Sequence, residues 1–413
     1  MVALIYKMIY IIIQVIKMYT EEIKKTSSSI INEIVSIRRD IHQNPELGFH
    51  EHRTSSIVSG FLKNIGFKVY TNIAKTGVVG ILEGSSPGKT IAIRADMDAL
   101  PITEENDIDF ASRNKNIMHA CGHDAHTAIA LGAAKILSGM KDKISGNVKF
   151  IFQPAEESLG GAELMIEEGA LDNPETDAII ALHVSPSLRS GKISVGFGPV
   201  MASPAEFDIV IKGKGGHAAQ PDKTTDPINI GINIINMFQS IIPKRISVFK
   251  TAILSITYFQ GGNTYNIIPS EAVIKGTVRA FDRETHDEIS EIMRSMIASV
   301  TGEAGAEFSF DYNLGYPPVV NNQGIAELIA CASGKILGTK NVIINPEPSM
   351  LAEDFSYYAQ RIPGAIFNLG CRSAFDEYFH NLHSNRFTID EACIGIGMEI
   401  MSQCALDFLS INL

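Results

Sequence analysis

Apolar positions at Ile30, Ile31, Ile34, Val35 and Ile37 or Ile41 recur with the period of a helix. Arg38, Arg39, Asp40 and His42 fall on its polar side, and Pro45 closes it, because the residue before a proline leaves the α region. A second helix is expected from Glu51 to Ile65, stopped by Gly66. Phe67–Tyr70, Val78–Glu83 and Thr90–Ala95 read as strands, with turns at Thr76-Gly77 and Ser85-Ser86-Pro87-Gly88. Helix over 127–138, strand over 147–152, helix over 160–168 and strand over 177–182 follow. This alternation predicts an α/β domain whose central, largely parallel sheet is flanked by helices. The residues that carry chemistry should then gather where strands end.

The pattern changes near Ala202. A strand over 206–212, a helix over 227–242, strands over 252–260 and 272–280, a helix over 283–300 and a strand over 307–312 give the order β-α-β-β-α-β, a small α+β layer. Pro317-Pro318 marks the return, and residues 320–413 revert to helices and short strands that complete the first sheet. The expected organisation is an apolar extension over 1–17, a discontinuous larger domain over 18–201 and 314–413, and an inserted small domain over 202–313. The edge of a small sheet leaves backbone groups unpaired, and pairing two such edges across a two-fold axis makes a homodimer.

Composition narrows the class. A formal charge of −11 without a long basic run argues against a nucleic-acid partner. Five scattered cysteines suggest no disulfide framework and fit a reducing cytoplasm. In the first 17 residues the longest uncharged run, Met8–Ile16, is far short of the roughly 20 residues of a membrane span, so no transmembrane helix is expected. No small-residue cleavage site follows it. The stretch reads as an extension ahead of the domain, from an upstream start, with a peripheral membrane contact as the alternative.

The chemistry centres on His119-Ala120-Cys121-Gly122-His123-Asp124-Ala125-His126. Cys121 and His123 project to one side of an extended segment and suit Zn, Mn, Ni or Co, and Gly122 lets the backbone bend close to an ion. The bland alternative is a buried thiol beside a helix-capping Asp124. Further strand ends carry Asp96-Met97-Asp98, Glu156-Glu157 and His183. Neighbouring carboxylates point in different directions, so one can bind a metal while the other serves as general base. His383 is a further candidate ligand, with His380 competing. Asp96, Cys121, His123, Glu157 and His183 are too many ligands for one closed site and suit two ions sharing a bridge.

The chain resembles the dinuclear metal-dependent amidohydrolases and aminoacylases of the metallo-carboxypeptidase/deacetylase superfamily, in the branch of hippurate hydrolases, indole-acetyl-amino-acid hydrolases and N-acetyl-diaminopimelate deacetylases. The likeness runs from about residue 28 onward. It is carried by Arg39–Glu46, Arg94–Pro101, His119–His126, Phe152–Glu157, Gly213–Ala219 and Met350–Phe355. The resemblance implies a metal-dependent amidohydrolase that cleaves the amide bond of N-acyl-amino acids by metal-bound hydroxide attack. Its cofactor would be two divalent ions, Mn2+ first, with Zn2+, Ni2+ or Co2+ as alternatives.

By the same resemblance Cys121 is a ligand between or beside the ions, His123 and Glu157 hold one, and His183 and His383 the other. Glu156 is the general base, and Asp98 fixes a ligand histidine. Asp96 stands where distant relatives place a metal-binding histidine, so it is assigned only a supporting role behind the ligands. In the small domain, a lid and dimerisation unit by this likeness, His217 polarises the scissile carbonyl, often across a dimer. Asn266 and Arg279 hold the substrate carboxylate. Without the resemblance His217 reads as a turn residue and Arg279 as a surface strand residue. A dipeptidase or carboxypeptidase acting on free-carboxylate peptides is the alternative enzyme. A ligand-binding relative without activity is the alternative class, disfavoured by the intact Glu156.

Overall fold

A computed structural model of the protein describes residues 2–157, 160–373 and 379–410, with side chains from Met18 onward. One helix, α1, runs without a break over Val2–Gln43. The side chains of residues 1–17 lie outside the described residues, and the expected peripheral membrane contact with them. Within α1, Ile23, Ile30, Ile34 and Ile41 are buried at helical spacing. The expected polar side departs from the pattern at two places, for Arg38 and His42 are as buried as the isoleucines. Their ion pairs, described below, are what permits it.

The chain divides into two compact units, one of residues 1–198, 320–347 and 357–413, the other of residues 199–319 and 348–356. The first continues with α2 (His52–Asn64), β1 (Lys68–Ile73), β2 (Gly77–Glu83), β3 (Ser86–Asp96), α3 (His123–Ser138), β4 (Ser145–Gln153), α4 (Gly161–Glu167), β5 (Ala178–Arg189) and β6 (Ile193–Val195). Among the described residues its sheet has the order β1-β2-β4-β3-β5, then the strand Gly364–Arg372, β6 and the strand Val342–Ile344. The centre of this sheet is parallel: β3 pairs with both β4 and β5, and Gly364–Arg372 pairs with β5 in register Asn368↔His183. The outer pairs β1/β2 and β2/β4 are antiparallel. This is the mixed α/β architecture that the alternation of elements predicts. The central strands are buried on both faces, as covered parallel strands must be. Helices α3 and Ala392–Ser410 pack against the sheet, and α1 packs on both of them. That last helix is long and apolar enough to cross a membrane, but it is mostly buried in this core.

The second unit is a four-stranded antiparallel sheet in the order Ala252–Gly261, Glu271–Ala280, Ser203–Lys212, Glu307–Leu314. The helices Pro227–Phe238 and Arg283–Ala304 pack on it over a core that includes Phe207, Ile209, Ile234, Ile274, Ile289 and Phe310. Asp226 caps the first of these helices by accepting from the N–H groups of Ile228 and Asn229, with Pro227 at the first helical position. The single helix expected over 227–242 is instead two pieces, Pro227–Phe238 and Ile241–Arg245. Pro243 has no N–H to continue the first helix, and its ring would meet the carbonyl of Gln239.

Candidate metal centre

Two strand-to-helix junctions, strand β5 and one late loop build the site in the first unit; His183 sits inside β5, which runs on to Arg189, and not at the end of a strand as expected. After β3 the chain passes Asp98. It returns through Met118–Cys121 into α3, which begins at His123, earlier than the expected 127. Gly122 makes this turn possible: its φ is +88°, and a Cβ there would sit 2.4 Å from Val184 Cγ2. After β4, Ala155 adopts φ +54° and turns Glu156 and Glu157 inward. Glu51, fully buried, holds that turn. Its Oε1 accepts the Ala155 N–H at 2.9 Å, and its Oε2 accepts the Thr76 hydroxyl at 2.5 Å. His383 adopts φ +65°, and its N–H bonds to the Ala120 carbonyl at 2.8 Å. Non-glycine residues in the left-handed region are costly and are held only where the surroundings fix them.

These elements bring Cys121, His123, Glu156, Glu157, His183 and His383 together. Cys121 Sγ lies 3.4 Å from His183 Nε2. His123 Nε2 is 3.9 Å from Glu157 Oε1 and 4.0 Å from Glu156 Oε2, and Glu157 Oε1 is 3.1 Å from His383 Nε2. Ligand atoms of Cys121, His123 and His183, of Cys121, Glu157 and His383, and of His123, Glu156 and Glu157 form three overlapping groups of metal-binding size. His380 instead lines a separate pocket of about 150 Å³ with Arg372 and Phe379. Asp98 works from behind. Its Oδ1 and backbone carbonyl accept from His123 Nδ1 at 3.2 and 3.0 Å, and its Oδ2 accepts the Glu157 N–H at 3.0 Å. Asp96 pairs with Arg94 and His126, and its Oδ1 also lies 3.9 Å from His123 Nε2 at the edge of the cluster.

Electrostatics explain why such a cluster is costly alone. Burial would lower the His123 pKa, but Asp96 and Asp98 outweigh it and raise it to about 10. Burial, helped by the neighbouring His126, drives His183 down to about 3. Burial together with Glu157 and Glu156 pushes the Cys121 thiol well up. His123 Nε2 is fully buried and has no hydrogen-bond partner, an arrangement that buried polar atoms ordinarily avoid.

A buried ion-pair network sits beneath the turn. Arg38 Nε lies 2.7 Å and His42 Nδ1 2.8 Å from Asp124 Oδ2, and His42 Nε2 lies 3.2 Å from Glu104. Asp124 therefore does not cap α3, whose N-cap is Gly122. Glu51, His126 and this network are the site's supports that sequence reasoning missed. The only sequence signals were charged residues in otherwise apolar segments.

The second unit places two of its three candidate residues side by side. Gly216-His217 pairs with Ile267-Ile268, in register Ile267↔His217, and the Asn266 carbonyl accepts the Ala218 N–H at 3.0 Å. His217 Nδ1 accepts the Ala219 N–H at 3.0 Å. A neutral His217 thus carries its proton on Nε2, on an exposed ring. Arg279 lies on the sheet between Ile253 and Pro204, half-buried, with burial lowering its pKa against the opposing pull of Glu206.

Comparison with known proteins adds independent findings. Residues 92–407 match the family model described as peptidase family M20/M25/M40. "Thermostable carboxypeptidase 2" of Saccharolobus solfataricus is 40% identical over 393 residues, 94% of this chain and 98% of that protein. The N-acyl-L-amino acid amidohydrolase of Geobacillus stearothermophilus is 42% identical over 305 residues, 74% of this chain and 82% of that protein. The crystal structure of the Bacillus subtilis YXEP protein, described as a dinuclear metal binding peptidase, superposes with a TM-score of 0.81. It is 34% identical and covers 92% of this chain and 99% of that one.

Proposed function

The chain belongs to peptidase family M20/M25/M40, and from that premise we propose that it is a metal-dependent hydrolase of the amide bond of N-acyl-amino acids. The observation that carries the reading is His123 Nε2, buried without a partner among a thiol and carboxylates. A divalent cation held there would satisfy that nitrogen and favour the thiolate of Cys121. The donor set would fit two ions, with Cys121, His123 and His183 grouped to hold one and Cys121, Glu157 and His383 grouped to hold the other, in place of the expected pairing of His123 with Glu157 and of His183 with His383. Bound there, divalent ions polarise a carbonyl and lower the pKa of water. Mn2+ is the proposed native ion, with Zn2+, Ni2+ or Co2+ able to replace it in this mixed N, O and S set.

The chain's own residues do the rest. Asp98 fixes the Nδ1–H tautomer of His123 and orients the Glu157 backbone through one carboxylate. Glu156, in the turn held by Glu51, takes a proton from the attacking water and returns it to the leaving amine. His217 donates from Nε2 to the developing oxyanion. Asn266 and Arg279 bind the substrate carboxylate, with the guanidinium as a two-point partner. A homodimer through the second unit and a cytoplasmic setting complete the proposal. All five cysteines are free thiols, as a reducing compartment keeps them.

Glu156→Gln tests this reading. The variant should keep its ions by elemental analysis and lose about 10²–10⁴-fold in kcat. Near-normal kcat in a metal-replete variant removes Glu156 from the mechanism. The 40% identical carboxypeptidase relative favours a second reading, cleavage of peptides with a free carboxylate. A panel of acetyl-, benzoyl- and longer acyl-amino acids, N-acetyl-diaminopimelate and dipeptides separates the two. Turnover of the peptides alone would replace the first reading by the second.

A further inference from the structure

The His119–His126 stretch holds four histidine and cysteine side chains, and the ligand set above uses only Cys121 and His123. His126 is almost fully buried on the first turn of α3. Its Nδ1 lies 2.6 Å from Asp96 Oδ1, and its Nε2 lies 2.9 Å from the backbone nitrogen of Val184. A backbone N–H can only donate, so Nε2 must hold a lone pair. The ring proton is then on Nδ1 and is donated to Asp96. Both nitrogens are committed, and neither is left for a metal.

The chain of bonds continues in both directions. Asp96 Oδ2 accepts from Arg94 Nη1 at 2.6 Å, and Arg94 Nε donates to Gln153 Oε1 at 2.8 Å. These groups lie at the ends of β3 and β4, and all are buried. On the other side, Val184 follows His183, and the Val184 carbonyl accepts from His183 Nδ1 at 2.8 Å. That bond leaves His183 Nε2 unprotonated and aimed at Cys121 Sγ. The peptide group after His183 is thus gripped at its N–H by His126, while the next carbonyl fixes the tautomer of His183. The His126 and His183 rings also meet edge to face, with centroids 4.6 Å apart and planes at 72°.

We propose that His126 is a positioning residue, locked by Asp96 as its Nδ1–H tautomer, which sets the register and orientation of the ligand His183 through the Val184 amide. Asp96 then acts through His126 and is not itself a ligand, although Asp96, His123 and His126 lie close enough to hold an ion. The inference rests on the reading of His183 as a metal ligand, and its test keeps the two apart.

The first measurement is histidine ¹⁵N NMR of the wild-type protein, metal-free and loaded with Mg2+-free Zn2+ buffer so that the spectra stay diamagnetic. His126 should show a protonated Nδ1 and an unprotonated Nε2 in both spectra, and the Val184 amide should exchange slowly. A His126 nitrogen that becomes a zinc ligand on loading overturns the proposal. The second compares His126→Gln with His126→Asn in Co2+ titrations followed by the visible spectrum. The glutamine carboxamide offers a donor to Asp96 and an acceptor to Val184 at nearly the imidazole spacing, whereas asparagine can place its amide near the Nδ1 position but is too short to reach the Val184 N–H. H126Q should bind two ions within about threefold of wild-type affinity, and H126N should lose about 10–100-fold for one ion with an altered spectrum, the usual cost of removing a ligand's support. Equal binding by the two variants, or loss of an ion from H126Q, overturns the proposal. A wild-type protein that binds no Zn2+ or Co2+ would overturn the metal reading, and with it the role of His126 toward His183, while leaving the tautomer itself to the metal-free spectrum.

Discussion

Arg38 and Asp124 are both fully buried, 2.7 Å apart, and Asp124 adjoins His123 in the chain. Removing one partner of such a pair strands the other charge in the interior. Arg38→Met should therefore destabilise the protein by about 3–5 kcal/mol in a denaturant melt, far more than the loss of an exposed ion pair. Burial opposes ionisation of Asp124, but Arg38 and His42 overcome it and hold the carboxyl well below its usual range. The sign follows: this stabilisation is complete above the unfolded carboxylate pKa near 4 and is lost as the pH falls below it. Lys149 behaves oppositely. Its ammonium donates to the carbonyls of Ala170, Asp172 and Pro174, yet burial lowers its pKa to about 8. The folded protein then binds fewer protons than the unfolded chain from about pH 8 to about 10.4, so stability should rise with pH through that window. Lys149→Met should abolish the rise while leaving three carbonyls unpaired; an unchanged slope in pH-resolved melts would assign it to another group.

At the scale of elements, the turn into α3 is a tight joint. Gly122→Ala demands a Cβ at φ +88° and 2.4 Å from Val184 Cγ2, so it must displace the stretch of β5 that carries His183. It should weaken metal binding and lower stability together, by about 1–3 kcal/mol for the backbone alone, read by metal titration and melting of the same sample. A variant with wild-type affinity would mean that β5 can retreat without moving His183. The elements themselves were largely legible. Helical and strand periods located α2, β2, β4 and the strands over 203–212 and 271–280, and the Cys121–His123 spacing pointed to the metal centre. Illegible were the supports, because their partners are distant in sequence: Glu51 binds a backbone group 104 residues away, and His126 one 58 residues away. Pattern reading also assigns charged residues to solvent. Arg38 and His42 were misplaced for that reason, since only the fold reveals Asp124 waiting beneath them.

At the scale of the whole molecule, the second unit presents an edge with no strand beyond it among the described residues. Ala252–Gly261 ends the four-stranded sheet, and Ile253, Tyr258 and Phe259 on it are exposed, as are the nearby Phe249 and Tyr265. Apolar edges of this kind are normally covered. The proposed homodimer covers this one, and sedimentation should find a dimer that Phe259→Lys shifts toward monomer. The dimer also bears on catalysis, because His217 and the metal cluster belong to different units of the chain. His217→Ala should retain its ions and lose about 10²–10³-fold in kcat, as removal of an oxyanion donor does. If His217 serves the partner's site, a hybrid of one His217→Ala subunit and one Glu156→Gln subunit contains one site with both groups intact. Random reassembly of equal amounts makes half of the dimers hybrids, so about a quarter of wild-type activity should return. Subunit exchange without recovery would place His217 in its own subunit's site, reached by closure of the second unit on substrate. A fully active His217→Ala would exclude both arrangements.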